Sequence, residues 1–494
     1  MNLKDLVKGI EVKQSLGSMD VVISSISYDS KEVRDGFLFA AIKGEKTDGH
    51  KYIQSAVKNG ARALLVEKMP ETAFENASVI QVDDTKCALA RISANFFNHP
   101  TKELTLVGVT GTNGKTTVTY LLESIWQEEG KKTGVIGTVQ YRFGGNRIPS
   151  AMTTPESLDL MKLFRTMREQ GTEYVAMEVS SHALDRKRTL GCQFDTAVFT
   201  NITQDHLDYH ETMENYFGSK KKLFSEVLGK SEKKAKFSIL NFDDPYGVEI
   251  SKHAAGRVVS YSITSKDTAV HPEKYEITPQ GILAVLNTAW GKVEVNSKLF
   301  GKHNLYNILA ASTTALCLGS GISAVEKGVS RLASVPGRLD RVENPFGITV
   351  LVDYAHTPDA LKNVLMAVKP FTRRNLILVF GCGGDRDPIK RPIMGRIGRE
   401  LADILIVTSD NPRTEDPESI IDQIEKGVFE ISSDEKSYFR ISDRREAIRK
   451  AIQVASPGDT LLIAGKGHEN YQILGKEKLP FDDKEVAGSI LREI

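Results

Sequence analysis

The stretch Leu106-Val107-Gly108-Val109-Thr110-Gly111-Thr112-Asn113-Gly114-Lys115-Thr116-Thr117 runs an apolar strand into a glycine turn and straight into the helix-like KTTVTYLLESIWQEEG. No other feature constrains the fold as much. A wholly apolar strand followed at once by a helix belongs to an α/β layer structure, in which a parallel sheet is covered by helices. The turn has the chemistry of a phosphate cradle. Glycines let backbone N–H groups face a polyphosphate, the helix N-terminus adds favourable potential, Lys115 can reach the β and γ oxygens, and the Thr116 hydroxyl can ligate Mg²⁺. The candidate nucleotide contacts are therefore Gly111, Thr112, Asn113, Gly114, Lys115, Thr116 and Thr117. The strict G-x-x-x-x-G-K-[ST] pattern asks for glycine at 109, where this chain has Val109, with glycines at 108 and 111 instead. The alternative is a purely structural strand-to-helix turn.

Three units follow from the alternation along the chain. Residues 21–66 hold short β-like runs around a helical YIQSAVKNGARA, and the pattern pauses near Asn98-His99-Pro100-Thr101. Strand and helix segments then alternate through FSILNFDD, and YEITPQGILAVLNTAWGKVEVNSKLFG reads as antiparallel hairpins, so the central sheet is expected to be mixed. A second pause at Ser334-Val335-Pro336-Gly337 precedes four apolar strand candidates, ITVLVDYA, NLILVFGCGG, ADILIVTS and DTLLIAGKG. The expected division is 1–98, 99–335 and 336–494, three α/β domains with a Rossmann-like third. The length of 494 residues suits about three domains.

Composition removes several classes of function. Lys+Arg number 65 against Asp+Glu 64, so the basic excess of a general nucleic-acid binder is missing. The four cysteines, Cys87, Cys192, Cys317 and Cys382, form no C-x-x-C pair, which argues against a disulfide framework or zinc knuckle and for a reducing compartment. MNLKDLVKGIEVKQ lacks a signal-peptide core, and no stretch approaches the ~18 apolar residues of a membrane span. A cytoplasmic, monomeric protein without a membrane or nucleic-acid partner is expected. No fixed-period repeat points to a solenoid.

Polar clusters stand at strand ends, where α/β sheets hold ligands. Glu178 in AMEVSSHA is a candidate metal ligand or a structural cap. Asp205-His206-Leu207-Asp208-Tyr209-His210 can bind a metal, and alone would suit a metallohydrolase as well as a capped helix start; hard Mg²⁺ prefers its carboxylates. SKKKLF, residues 219–224, reads as a solvated helix face. Gly301-Lys302-His303-Asn304-Leu305-Tyr306-Asn307 caps a helix or holds a base. In the last unit Asp353–Pro358, Gly381–Asp387, Asp410–Glu415 and Gly465–Glu469 follow four strands, so they can converge on one rim. Turn chemistry accounts for their Gly, Asn, Asp and Pro but not for Arg386, Arg413, His468 and Glu469.

In order, GVTGTNGKTT, MEVSSHAL, DHLDYH, GKHNLYN, DYAHTPDAL, GCGGDRDPIKRP, DNPRTEDP and GKGHE resemble the Mur ligase family over nearly the whole chain, most weakly in residues 1–100. The broken loop pattern is the family's own. The resemblance implies a uridine-nucleotide domain, a central ATPase and an amino-acid domain. It also implies ATP-dependent amide formation: a substrate carboxylate takes the γ-phosphoryl group as an acyl phosphate, and an amine then displaces phosphate. By resemblance Thr116, Glu178, His206 and Lys220 serve Mg²⁺, with Lys220 the family's carbamylated lysine, against its solvated-face reading. Lys115, Lys220, His206 and Glu178 are thus the implied catalytic set. The resemblance assigns Ser30, Lys46, Thr47, Thr153, Thr154, Ser180 and Arg188 to the nucleotide-sugar peptide, and Asn304, Arg341, Asp353 and His356 to ATP.

The implied substrates are UDP-N-acetylmuramoyl-L-alanyl-D-glutamate and meso-diaminopimelate, the latter because D-N-P-R accompanies it within the family. The second carboxylate of diaminopimelate suits two parallel hydrogen bonds from Arg413. Lysine would leave those donors unpaired, and such a site can reject an analogue by about 10⁴. Arg386, Asp410, Asn411, Gly465 and Glu469 resemble the other amino-acid contacts, with Glu469 for the distal ammonium. The alternatives are a ligase adding lysine or folate-linked glutamate, and a nucleotide-dependent switch that forms no amide.

Overall fold

Thr105–Thr110, Tyr174–Glu178 and Thr196–Phe199 are buried almost throughout, as parallel strands sandwiched between helices must be. The computed structural model describes residues 1–44, 47–72, 74–278, 280–431 and 437–494. Among them three large sheets succeed one another along the chain.

The first sheet has five strands, in the order Gln14–Leu16, Ser78–Gln81, Ala61–Val66, Phe37–Ala40, Ser25–Ser27; all pair in parallel except Gln14–Leu16. The second has eleven. Its parallel centre runs Arg257–Tyr261, Phe237–Asn241, Thr196–Phe199, Thr105–Thr110, Tyr174–Glu178, Thr133–Ile136, and antiparallel hairpins extend both edges. The mixed sheet expected from the hairpin-like sequence is therefore present: Val270–Thr278, Gly281–Thr288 and Gly291–Ser297 form the antiparallel meander. The third sheet has six strands, ordered Asp340–Val342, Thr349–Asp353, Thr460–Ala464, Leu376–Phe380, Ile404–Val407, Tyr438–Arg440. Its four central strands are the four apolar runs. A small hairpin, Tyr471–Leu474 with Glu477–Pro480, stands outside it.

Helix Lys115–Glu128 follows the glycine turn and buries Val118, Leu121, Leu122, Ile125 and Trp126 against Leu305, Ile308 and Leu309 of helix Lys302–Cys317. Each such side chain contributes roughly 1.5–3 kcal/mol of burial. The other face of the sheet packs Met161, Phe164 and Met167 with Tyr216, Leu223 and Phe224. The strand order reverses around Thr105–Thr110, with Tyr174–Glu178 on one side and Thr196–Phe199 on the other. That reversal opens a crevice at the carboxyl ends of these strands, directly over the glycine turn.

Candidate functional site

The glycine turn is built to bring backbone close to whatever it holds. Gly114 has φ +89°, and a Cβ there would collide with Asn307 Oδ1, so only glycine fits. Asn307 in turn donates to Asn304 Oδ1 at 3.0 Å, and Asn304 Nδ2 donates to Phe300 O at 2.9 Å. Asn304 therefore backs the turn from behind. The Asn113 N–H donates to Asn201 Oδ1 at 3.0 Å, while Thr112 Oγ1 accepts the Thr203 N–H at 3.0 Å and pairs with the Tyr216 hydroxyl at 3.0 Å. Thr116 and Thr117 are buried in the first helical turn.

Two lysines meet inside this frame. Lys115 Nζ donates to Gly111 O and Thr112 O at 2.8 Å each, and Lys220 Nζ donates to the same Gly111 O at 2.9 Å. Lys220 is 2% exposed and lies 4.5 Å from the Tyr216 ring centroid. Burial lowers the pKa of both amines, and in Lys220 the like charge of Lys115 adds to the effect. SKKKLF is thus not a solvated face at its first lysine. Helix Met213–Lys222 turns Lys220 inward, and a π-helical turn, Leu223–Val227, follows it.

Glu178 ends its strand 1% exposed, with Oε1 accepting the Thr138 N–H and Oε2 the Thr138 hydroxyl, both at 3.0 Å. Gly137 makes the contact possible, because a Cβ there would overlap the carboxylate. Asp205 faces His206 at 3.4 Å, and its carboxyl is held below the usual range by His206, His356 and Lys115 against the effect of burial. His206, in left-handed backbone at φ +54°, is kept neutral by desolvation, with His182, Lys220 and Lys115 adding to it. Its ring lies edge-on to His182, 4.8 Å between centroids. Among the described residues no group of three or more His, Cys, Asp or Glu side chains is arranged to hold a metal.

Thr153, Thr154, Ser180 and Arg188 come together beside Glu178. Thr153 Oγ1 lies 3.0 Å from Thr138 Oγ1, Thr154 Oγ1 donates to Glu178 O at 2.9 Å, and Ser180 N donates to Thr154 Oγ1 at 3.1 Å. Arg188 donates to Thr154 O at 3.1 Å and to Glu156 at 2.6 Å. Ser30 and Thr47 lie in the first unit, and Lys46 falls outside the described residues. Between that unit and helix Ser181–Asp185 a cleft of about 400 Å³ is lined by Lys43, Lys86, Arg186 and Lys187 with Asp84 and Asp185.

The third sheet folds over the turn. Asp359 Oδ2 accepts from Thr203 Oγ1 at 2.7 Å and from Asn113 Nδ2 at 3.3 Å. Asp353 accepts the Leu339 and Ala355 N–H groups at 2.7 and 2.9 Å, and burial raises its pKa. His356 Nδ1 lies 2.8 Å from Tyr354 O, and burial, with the charge of Lys390, lowers the pKa of the ring against the pull of Asp205. Arg341 does not join them. In the edge strand Asp340–Val342 the residues alternate buried, exposed, buried, which turns Arg341 to solvent, 3.7 Å from Glu343. Arg338, three residues earlier, reaches the turn instead, donating to Thr116 Oγ1 at 3.2 Å and stacking on Tyr354. No sequence signal separates the two arginines of PGRLDR; the turn that aims Arg338, with Leu339 at φ +48°, is seen only in the fold.

On the rim, Asp410, Asn411, Arg413, Gly465 and Glu469 cluster, and Arg386 is exposed beside them. Arg413 Nη1 donates to Gly384 O at 2.6 Å, and Asn411 Nδ2 donates to Glu469 Oε2 at 2.9 Å. Lys466, absent from the sequence-derived set, sits among them, fully buried.

Three family models match in succession: Mur ligase family, catalytic domain, over residues 22–97; Mur ligase middle domain over 109–315; and Mur ligase, glutamate ligase domain, over 337–467. The UDP-N-acetylmuramoyl-L-alanyl-D-glutamate--2,6-diaminopimelate ligase of Geobacter metallireducens is 46% identical over 507 residues, covering 100% of this chain and 99% of that one. A solved structure of a ligase of that name has a TM-score of 0.71 at 31% identity, covering 100% of this chain and 99% of the other. MurF ligase from Thermotoga maritima, solved in complex with ADP, shares the fold alone, with TM-score 0.62 and 20% identity over 96% of this chain and 97% of that one. Likeness that runs unbroken from the first sheet to the last rim goes beyond a shared nucleotide fold: the chain belongs to the Mur ligase family.

Proposed function

We propose that this chain is an ATP-dependent amide ligase that joins meso-2,6-diaminopimelate to the D-glutamate of UDP-N-acetylmuramoyl-L-alanyl-D-glutamate, in the synthesis of peptidoglycan precursor. The observation that carries the reading is the docking of the third sheet over the glycine turn, through Arg338 on Thr116 and Asp359 on Asn113. A nucleotide-dependent switch has no use for an acid-and-base amino-acid rim held against its phosphate loop. We divide the chain into a uridine-nucleotide domain of residues 1–98, an ATPase of 99–335 and an amino-acid domain of 336–494. We place the enzyme in the cytoplasm, where ATP and its nucleotide-linked substrate occur; among the described residues no helix is long and apolar enough to cross a membrane.

The chemistry follows from where charge must go. The D-glutamate carboxylate attacks the γ-phosphorus, the bond to ADP breaks, and an acyl phosphate forms. The amine of diaminopimelate, having lost its proton, then attacks the acyl carbon, and the tetrahedral intermediate expels inorganic phosphate. Such transfers depend on positioning and on neutralising developing charge more than on a general base. Lys115, anchored on two carbonyls of the turn, supplies one positive charge. Thr153, Thr154, Ser180 and Arg188 orient the acid, and the cations around the cleft beside the first unit suit its diphosphate. Asn304, Asp353, His356 and Arg338 surround the nucleotide. Arg386, Arg413, Asp410, Asn411, Gly465 and Glu469 receive the amino acid.

The donor set suits Mg²⁺. The buried Glu178 carboxylate and the Thr116 hydroxyl are hard oxygen donors that would hold one such ion. Burial, and the amine of Lys115 on the same carbonyl oxygen, favour a neutral Lys220, and a neutral amine can add CO₂ to give a carbamate with release of a proton. That carbamate and neutral His206 would hold a second ion. Bound Mg²⁺ supplies the charge that offsets the phosphate oxygens. The test is turnover of the purified protein with ATP and the nucleotide-dipeptide against a panel of candidate third residues, with mass detection. A tripeptide product only with diaminopimelate is expected. Phosphate release with ATP alone would sink the ligase reading.

A further inference from the structure

Lys466 lies within the rim and reaches no solvent, at 0% exposure; Arg444, buried nearby, is instead paired with Asp483. Its ammonium lies 3.2 Å from Asn411 Oδ1, 3.2 Å from Glu469 Oε2 and 3.7 Å from Asp410 Oδ1. A charge is kept out of water only where opposite charge and hydrogen bonds surround it. Here both rim carboxylates do so, and Glu469 is the one read as facing the distal ammonium of the amino acid. Asp410 Oδ1 has no hydrogen-bond donor of its own among the described residues. Gly465, at φ +115°, brings the strand end so near that a Cβ would stand 3.0 Å from Asp410 Oδ2. Lys466 thus forms the buried floor of this rim, whereas Arg413 is half-buried and Arg386 exposed.

The charges of the possible ligands differ in a way this floor can sense. Diaminopimelate carries two ammonium and two carboxylate groups and is neutral overall. Lysine carries one carboxylate fewer and is a cation. With Lys466 in place, one of the two rim acids is already answered from within the protein. Without it, neither acid would keep an ion-pair partner among the described residues, and both would draw a cationic amino acid more strongly.

We infer that Lys466 is a positioning residue that sets specificity: its buried ammonium holds Asp410, Asn411 and Glu469 in one arrangement and cancels one acidic charge, so the pocket turns away a cationic amino acid. The inference rests on the reading of this rim as the diaminopimelate site. Arg413 supplies attraction for the far carboxylate; Lys466 supplies the opposing element, repulsion of surplus positive charge. The two therefore leave different signatures. Loss of Arg413 weakens diaminopimelate, whereas loss of Lys466 admits lysine.

The experiment compares the full-length wild type with Lys466→Met, which keeps length and loses charge, and Lys466→Arg, which keeps charge. Initial rates are measured with diaminopimelate and with L-lysine at saturating ATP and nucleotide-dipeptide, and each product is weighed by mass. In Lys466→Met the ratio of kcat/KM for diaminopimelate to that for lysine should fall at least tenfold, with the KM for ATP changed less than twofold. Lys466→Arg should keep the ratio within threefold of wild type. A methionine variant in which both amino acids lose equally, or in which the ratio is unmoved, overturns the inference. Should that variant fail to fold, shown by lost binding of a non-hydrolysable ATP analogue, Lys466→Gln gives the same comparison with the same expected fall. A wild type that makes no tripeptide from diaminopimelate overturns the functional reading itself, and so is told apart from failure of Lys466 alone.

Discussion

At Gly111 two side-chain amines donate to one carbonyl oxygen, and the Lys220 side chain is almost wholly buried. Burial first, and then the like charge of Lys115, push Lys220 toward neutrality. The functional reading needs Lys220 as a carbamate, so Lys220→Ala should lower kcat by about 10², the usual cost of one misplaced charge-stabilising group. Added short-chain carboxylates should restore part of it; full activity with no need of rescue would remove the carbamate. Arg413 is the second residue on which the reading turns. Its Nη1 is already held by Gly384 O, which aims the remaining guanidinium donors. A bidentate pair with a carboxylate involves two charge-assisted bonds of about 1.5–3 kcal/mol each, so Arg413→Ala should raise the KM for diaminopimelate by about 10²- to 10⁴-fold. The KM for ATP should stay near wild type, and equal effects on both constants would discredit the specificity argument. DNPR was legible in the sequence because its residue types alone suggest turn and anion chemistry. Arg338 was not legible, because only the exposed register of the edge strand shows that Arg341 points away.

Among the elements, the hairpin Tyr471–Leu474 with Glu477–Pro480 has an unexpected task. It adds nothing to the main sheet, yet it grips the DNPR loop from outside. Gln472 Nε2 donates to Asp410 O at 2.7 Å, the Ile473 N–H to Asn411 Oδ1 at 2.9 Å, and the Gly475 N–H to Arg413 O at 2.7 Å. These bonds hold Arg413 in left-handed backbone at φ +54°, which a non-glycine residue adopts only when its surroundings impose it. Gly475→Pro removes the donor and the positive φ together. We expect the KM for diaminopimelate to rise about tenfold, with ATP binding by calorimetry unchanged; an unaltered KM would deny the hairpin its role. The sequence revealed the four central strands of this unit through their apolar runs. It did not reveal the hairpin, whose strands are mostly exposed and lack any core face to leave a pattern.

Across the whole molecule, the third unit and the glycine turn share groups. Asp359 accepts from Asn113 in the turn and from Thr203 beside it, and Arg338 donates to Thr116. Closure of the third unit and order in the turn are therefore coupled, since whatever moves Asn113 loosens the dock. Asp359→Ala deletes a carboxylate that takes two hydrogen bonds across the junction, each of about 1.5–3 kcal/mol. The variant should show a larger radius of gyration by small-angle scattering and a kcat reduced about tenfold. Unchanged scattering and rate would mean that Asp359 does not hold the two units together.

The sequence by itself determined what is local. The strand, glycine turn and helix start of the phosphate cradle, the apolar periods of the three sheets and the order of eight motifs all rest on residues within a few positions of one another. Tertiary structure decided which charges are buried. Lys220 meets Gly111 across 109 residues, and Lys466 meets Asn411 across 55. A lysine in a charged run reads as solvated until packing selects the face it occupies, because the free energy of a buried charge depends on partners that the chain supplies from far away.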